Sequence, residues 1–205
     1  MRKLTMVLAF AALLGLAGRS LPGGGETGVN DEGFITAWLL LAPIPLDKDQ
    51  SGADALGKQQ IKDEAKLQPR AGDKVKAGAK DLVWKEYKNK EYYFDFNDFL
   101  GGETEDSVGY AVCYIHAAAE LKNVKLQIGS DDQALVYLNG KEVIKNDTAR
   151  ALEKDQDSAE VTLKKGVNVL VFKVVNEKID WSGCARFTDK DNKVIKRIRV
   201  TAMPK

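Results

Sequence analysis

The fold of this chain is decided by residues 109–147, whose sequence is GYAVCYIHAAAELKNVKLQIGSDDQALVYLNGKEVIKND. Large apolar or aromatic side chains alternate with other residues along 110–117 and along 124–128, which is the two-residue period of half-buried strands. Residues 130–132 form a polar corner whose side chains can bond their own backbone, and Asn139-Gly140 is a strong signal for a two-residue hairpin turn. The stretch therefore predicts four consecutive short strands separated by turns.

Length and charge limit the kinds of protein this can be. The chain has 205 residues, 44% of them hydrophobic, which suits one sizeable core and gives no sign of a second. Its 31 basic and 30 acidic side chains nearly cancel. We therefore expect no nucleic-acid partner and no attraction to an anionic membrane. A neutral or weakly polar partner fits this composition better.

The first twenty residues have the plan of a secretory signal peptide. Arg2 and Lys3 precede the apolar run Leu4 to Ala17, which is too short to span a bilayer comfortably. A chain with such a signal peptide is exported, and residues 1–20 are then removed. We therefore expect the mature protein to be secreted or periplasmic. Arg19 stands where the lipid-bearing cysteine of a bacterial lipoprotein would have to be, so we expect no membrane anchor in the mature chain.

The rest of the chain reads as a leader followed by one domain. Residues 21–33 are rich in glycine and predict a flexible leader, and residues 34–205 form the predicted domain. Residues 34–42 predict a buried strand that must stop, or lie at a sheet edge, where the following prolines begin. In the long polar loop 46–80, apolar residues at helical spacing within 53–67 predict one short helix.

Further strands follow the deciding stretch without intervening helices. They are predicted at residues 159–163, 167–175, 183–188 and 194–201. Short strands spaced by turn signals predict an all-β fold, an antiparallel β-sandwich. The one short helix lies in its long loop.

Aromatic residues are concentrated in residues 82–100, LVWKEYKNKEYYFDFNDFL. Such density indicates either core filling or a recognition surface. The core side chains are predicted to be Tyr92, Phe94 and Phe96. Trp84 and Tyr87 are predicted to lie at the end of the strand, outside the core.

Several of these motifs carry a family resemblance. The runs GSDDQALVYLNGKEVIKND (129–147) and ALEKDQDSAEVTLKKGVNVLVFKVVNEKIDWSGCARFTDKDNKVI (151–195) resemble galactose-binding-like jelly-roll domains, and are most similar to the sugar-binding-like modules attached to bacterial glycoside hydrolases. The opening strand FITAWLLLAPIP (34–45) resembles the same modules. The resemblance implies a noncatalytic β-sandwich that binds carbohydrate through loops at one end.

A more distant resemblance is to PA14-type adhesin modules. In those modules a paired aspartate at a comparable corner holds calcium, which in turn holds a sugar, and Asp131 and Asp132 match that pair. Two carboxylates alone are too few for calcium, which takes six to eight oxygen ligands. The other interpretation is that both side chains cap the turn by accepting backbone N–H bonds.

The sequence suggests a sugar-binding site around Trp181. Its ring, together with Trp84 and Tyr87, could form a flat apolar platform. The side chains that could bond the sugar hydroxyls are Arg186, Asn176 and Asp180. Trp181 could instead fill the end of the core.

Cysteine and histidine offer little catalytic chemistry. Cys113 and Cys184 could form a disulfide in an oxidising compartment, or remain two buried free thiols. His116 is the only histidine and reads as a hydrogen-bonded strand residue. No nucleophile motif or well-placed carboxylate pair is present. We therefore expect a protein that is not an enzyme and has no cofactor, apart from the calcium that the adhesin resemblance would allow.

Two functions remain open at this stage. The first is a secreted, noncatalytic carbohydrate-binding module. The alternative is a structural or self-assembling extracellular subunit that uses the same β-sandwich for protein–protein contacts, either with another protein or as a homo-oligomer.

Overall fold

A computed structural model of the protein describes residues 28–77, 80–88 and 90–204. The signal peptide predicted over residues 1–20 lies outside these residues, as does most of the predicted leader. Residues 28–33 of that leader are already part of the fold, because Val29 forms a β-bridge with Ile35.

Thirteen strands account for about half of the described residues. They are β1 (Ala37–Pro45), β2 (Lys74–Ala77), β3 (Lys80–Val83), β4 (Lys85–Lys88), β5 (Phe94–Asp95), β6 (Ser107–Ala117), β7 (Leu121–Asp131), β8 (Ala134–Leu138), β9 (Lys141–Asn146), β10 (Asp157–Leu163), β11 (Gly166–Asn176), β12 (Ser182–Thr188) and β13 (Ile198–Thr201). Two short α-helices and a 3-10 helix complete the described part: α1 (Gly52–Gly57), α2 (Phe96–Leu100) and Glu64–Lys66.

The strands form two main sheets and a separate hairpin. The larger sheet has the order β4-β1-β6-β11-β8-β9, with β13 also paired to β6, and the smaller sheet has the order β10-β7-β12-β5. Strands β2 and β3 pair only with each other among the described residues. Every strand pair is antiparallel. The predicted all-β antiparallel sandwich is confirmed.

The larger sheet is buried on both faces, although the alternation in residues 110–117 predicted half-buried strands. In β6, Ala111, Cys113 and Ile115 face the smaller sheet. Tyr110 and Tyr114 belong to a second apolar cluster on the opposite face of the same sheet. A tyrosine ring can be buried while its hydroxyl makes a hydrogen bond. The alternation therefore predicted more exposure than this strand has.

Residues 46–77 and 80–84 cover that opposite face, and we call these segments together the cap. Leu56, Ile61 and Trp84 of the cap are buried in the second cluster. Tyr114 also donates its hydroxyl to the Pro69 carbonyl oxygen at 2.6 Å. The cap therefore gives the larger sheet its second buried face.

Two local expectations differ from the structure. The helix predicted within 53–67 is confined to α1 and the Glu64–Lys66 turn, because the chain is extended at Lys58 and left-handed at Asp63 (φ 56°). The aromatic stretch does not continue as a strand after Asp95. Asp95 caps α2 by accepting the Asp98 N–H, so the chain turns helical there.

A buried lysine fixes the cap to the larger sheet. Lys173 of β11 is fully buried and faces the cap. Its ammonium donates to the carbonyl oxygens of Leu56 (2.9 Å) and Lys58 (2.6 Å) and lies 3.3 Å from the Glu64 carboxylate. Burial lowers the pKa of Lys173, and the Glu64 carboxylate opposes that shift.

Glu64 connects this lysine to two more strands. It accepts hydrogen bonds from the hydroxyls of Tyr110 in β6 and Tyr137 in β8, the latter at 3.0 Å, and from the Gln60 N–H at 3.2 Å. Each charged oxygen thus has several donors, and Glu64 is only 5% exposed. We call the Lys173–Glu64 pair and these donors the buried ion-pair centre.

Removal of Lys173 should destabilise the protein strongly. Lys173→Met keeps an unbranched side chain that is one atom shorter but leaves the buried Glu64 carboxylate without its counter-charge, so we expect the free energy of unfolding to fall by about 3–5 kcal/mol. Denaturant unfolding measures this. Lys145→Met, at an exposed lysine of β9, is the control and should change stability by about 0.5 kcal/mol or less. Equal effects of the two substitutions would contradict the role of the centre.

Candidate functional site

The two tryptophans expected to form an exposed platform are buried. Trp181 and Trp84 are each 1% exposed and belong to the apolar clusters on opposite faces of the larger sheet. The Trp181 ring packs 4.4 Å from the Phe96 ring, and its N–H donates to the Val174 carbonyl oxygen at 3.4 Å. Trp181 therefore fills the core, which was the other interpretation, and the expected platform is absent.

The remaining residues of the predicted sugar site are dispersed. The half-buried Tyr87 donates its hydroxyl to Asp98 at 2.9 Å. Asn176 is fully buried and donates to the Thr104 carbonyl oxygen, while Asp180 is exposed. Arg186 lies on β12. The structure does not bring the six side chains into one site.

Arg186 does belong to a defined surface. Its guanidinium makes two hydrogen bonds to the Asp155 carboxylate, one of them at 2.9 Å, and donates to the Glu32 carbonyl oxygen at 3.1 Å. The same guanidinium lies 4.7 Å from the centre of the Phe34 ring. These contacts hold Arg186 in one orientation at the edge of the smaller sheet.

Two neighbouring tyrosines extend this surface. The rings of Tyr92 and Tyr93 are half-buried and meet edge to face, 5.0 Å apart at 70°. The Lys154 ammonium lies 4.5 Å from the Tyr92 ring centre. We call Tyr92, Tyr93, Lys154, Asp155 and Arg186 the tyrosine patch. Tyr92 was predicted to be core, but it is only partly buried.

Burial, and then the nearby carboxylates of Asp95, Glu91 and Asp180, raise the pKa of Tyr93 above its usual range. Its hydroxyl, like that of any tyrosine at neutral pH, can donate a hydrogen bond. Negative groups around a partly buried ring also offer acceptors for a hydroxyl-rich ligand.

The loop that supplies Lys154 and Asp155 is pressed onto the smaller sheet. Residues 147–156 cross the outer face of that sheet, and we call them the strap. Only glycine fits beneath the strap at position 129, because a Cβ there would lie 1.8 Å from the Glu153 carbonyl oxygen. The close approach fixes the strap, and with it one side of the tyrosine patch.

The aspartate corner also holds the strap. Asp132 accepts the Arg150 N–H at 3.2 Å and the Glu177 N–H at 2.9 Å. Asp131 accepts the Leu152 N–H. The carboxylates do accept backbone N–H bonds, as one of the two interpretations held, but the bonded N–H groups of Arg150 and Glu177 lie 18 and 45 residues away, so Asp132 joins distant loops. Burial, and then the neighbouring Asp132 carboxylate, raise the pKa of Asp131 to about 6.

The structure does not support two of the sequence-based expectations on ligands and cross-links. Among the described residues there is no group of three or more histidine, cysteine or acidic side chains that could hold a metal ion, so Asp131 and Asp132 lack a third protein ligand of that kind for calcium. Cys113 and Cys184 are both buried free thiols, one on β6 of the larger sheet and one on β12 of the smaller. The disulfide expected as one of the two options is absent.

Comparison of the chain with protein-family models, with curated proteins and with solved structures finds no match in any of the three. No helix in the described part of the chain is long and apolar enough to cross a membrane. The resemblance to galactose-binding-like modules stays a prediction.

The sequence contained only part of the signal for the tyrosine patch. Tyr92 and Tyr93 stood out in the aromatic stretch, but their alternation with Phe94 and Phe96 suggested that Tyr92 was buried. Asp155 lies in a polar segment of the sequence that carries no distinguishing motif. Its pairing with Arg186, 31 residues further along the chain, depends on how the strap crosses the sheet and has no local signature.

Both thiols should be unreactive in the folded protein. Burial raises the pKa of Cys113 well above its usual range and that of Cys184 to about 12, so neither is a thiolate at neutral pH. We expect a chromogenic disulfide reagent to detect no fast-reacting thiol in the native chain and two after denaturation without reductant. Detection of none after denaturation would instead demonstrate a disulfide.

The raised pKa of Asp131 should make stability depend on pH. The folded chain binds this proton more tightly than the unfolded chain, where the carboxyl group titrates near 3.8. The free energy of unfolding should therefore decrease as pH rises from about 4 to about 6. Above that range Asp131 is ionised in both states, and the loss of stability is complete. Asp131→Asn keeps an acceptor for the Leu152 N–H but has no charge. The free energy of unfolding of this variant should therefore decrease less over the same pH range.

Urea unfolding at several pH values between about 4 and 7 measures this difference. The control is Asp191→Asn, at an exposed aspartate in the loop before β13. It should leave the pH dependence unchanged. An Asp131→Asn profile that runs parallel to the wild-type profile would contradict the assignment.

Proposed function

We propose that this protein is a noncatalytic carbohydrate-binding module, secreted or periplasmic, and that its ligand contacts the tyrosine patch. The observation that carries the proposal is the Tyr92–Tyr93 pair, whose rings are partly exposed and flanked by fixed charged groups of both signs. The earlier resemblance to sugar-binding-like modules supports the same function by analogy only.

The chemistry of the patch suits a sugar ring. The C–H face of a saccharide can pack on an aromatic ring, while its hydroxyls need both donors and acceptors. Arg186 offers donors, and the carboxylates of Asp155 and Asp180 offer acceptors. A neutral saccharide fits best, because Arg186 and Lys154 are each already paired with a carboxylate.

The two tyrosines have different roles in this proposal. The Lys154 ammonium already lies over the Tyr92 ring and also bonds Glu32 at 2.7 Å. We therefore assign the stacking contact to Tyr93 and treat Tyr92 as its edge-on support. Because the ion pairs hold the surrounding side chains in place, little conformational entropy remains to be lost when a ligand binds.

Tyr93→Ala should weaken saccharide binding at least about tenfold, since it removes the stacking surface. Glycan screening followed by affinity electrophoresis on the best polysaccharide measures this. Tyr93→Phe keeps the ring and should retain most of the affinity.

Tyr87→Ala is the matched control, because Tyr87 is another half-buried tyrosine outside the patch. It should bind like the wild type. Loss of binding in Tyr87→Ala but not in Tyr93→Ala would place the site elsewhere, and no retention of the wild type on any saccharide would overturn the proposed function.

A further inference from the structure

The charges of the protein are divided between the two ends of the sandwich. The end where β6 begins is formed by residues 46–51, 95–106, 131–133, 147–156 and 177–181. These segments contain fourteen carboxylate side chains and four lysines or arginines. We call this the acidic end.

The other end has the opposite character. It is formed by residues 118–120, 139–140, 164–165 and 189–197, with six lysines or arginines against three acidic side chains. We call this the basic end. Since β6 runs between the two ends over 11 residues, they are separated by about 35 Å. One molecule cannot bring its own two ends together.

The basic end contains a cleft. Its volume is about 460 Å³, and Lys122, Lys196 and Arg197 line it together with apolar atoms of Leu121 and Ile195. Lys196 and Arg197 are exposed and make no ion pair with any described residue. Glu120 also lines the cleft but is paired with Lys122 at 3.4 Å. Asp189 lines the cleft as well, so its lining carries three cations and two carboxylates, and Lys196 and Arg197 are the cations that make no ion pair with a described residue.

The acidic end carries a loop with the complementary charge. In residues 101–106, the side chains of Glu103, Glu105 and Asp106 are exposed and make no ion pair with any residue the structure describes. The backbone of the loop is nevertheless fixed: the Thr104 N–H donates to Asn97 at 3.0 Å, and the Asp106 carbonyl oxygen accepts the Leu46 N–H at 2.8 Å. A fixed loop loses little conformational entropy on docking.

We propose that the acidic loop 101–106 of one copy docks in the basic cleft of a second copy, so that the chain associates head to tail. The occupant is a second copy because this chain carries both complementary surfaces: Lys196 and Arg197 of the cleft, like the carboxylates of the loop, make no ion pair with any described residue. Such a contact joins two different surfaces and leaves one of each free, so it continues into longer chains unless a ring closes. This inference does not depend on saccharide binding.

The contact should be sensitive to salt. Exposed charges interact over about 30 Å at 0.01 M salt but only about 3 Å at 1 M. Complementary charge mainly speeds encounter and fixes orientation. We therefore expect association at low ionic strength and dissociation at high ionic strength.

Light scattering coupled to size-exclusion chromatography tests the proposal with two double variants. Glu103→Lys/Glu105→Lys reverses the loop, and Lys196→Glu/Arg197→Glu reverses the cleft. The wild type should exceed the mass of a dimer at about 0.01 M salt and fall to a monomer at about 1 M. Each variant alone should be monomeric at both salt concentrations.

The mixture of the two variants gives the decisive result. The loop variant keeps a normal cleft and the cleft variant keeps a normal loop, and the reversed loop and reversed cleft are again opposite in charge, so their equimolar mixture should recover association beyond a dimer at about 0.01 M salt. The double variant Lys196→Gln/Arg197→Gln removes the two cleft charges without reversing them, and alone it should also be monomeric. Thermal melting checks that each variant folds.

A wild type that stays monomeric at low salt would overturn the proposal, and so would variants that associate as the wild type does. Binding of an acidic polysaccharide such as polygalacturonate to a monomeric wild type, lost in Lys196→Glu/Arg197→Glu, would assign the cleft to an anionic polymer instead.

Discussion

The ammonium of Lys173 and the carboxylate of Glu64 meet in a part of the protein that excludes water, and the covering of the larger sheet depends on that contact. Isolated charges are expensive to bury, so the pair is stable only because backbone carbonyls and two tyrosine hydroxyls surround it. The donors and acceptors come from both the cap and the sheet. A shift of the cap would therefore break several charged hydrogen bonds at once.

The cap determines which surfaces remain for function. It buries the outer face of the larger sheet, including Tyr110 and Tyr114, while the strap crosses the outer face of the smaller sheet. The tyrosine patch lies where the strap meets β12, and the two charged ends lie beyond the strands. A rigid sandwich that carries its binding groups on loops is a common arrangement, because loops can vary while the core stays packed.

Local chemistry could be predicted from the sequence, whereas long-range pairings could not. Asn139 and Gly140 have the positive φ angles (54° and 82°) that a two-residue hairpin needs, and only short-range sterics are involved. Trp84 and Trp181 were misplaced because an aromatic side chain suits a core or a binding surface equally well. Lys173 lies in an otherwise apolar strand sequence, and no neighbouring residue in the sequence indicates why a lysine is there. Its partner Glu64 lies 109 residues away, in a segment that looked like an exposed loop.

Hydrogen exchange followed by mass spectrometry on the full chain tests the central claim, that one buried ion pair fixes the cap to the larger sheet. In Lys173→Met, the backbone amides of residues 52–77 should lose protection together, while those of β6 and β11 remain protected at mild conditions. Unchanged protection of residues 52–77, or an equal loss across both sheets, would contradict the claim.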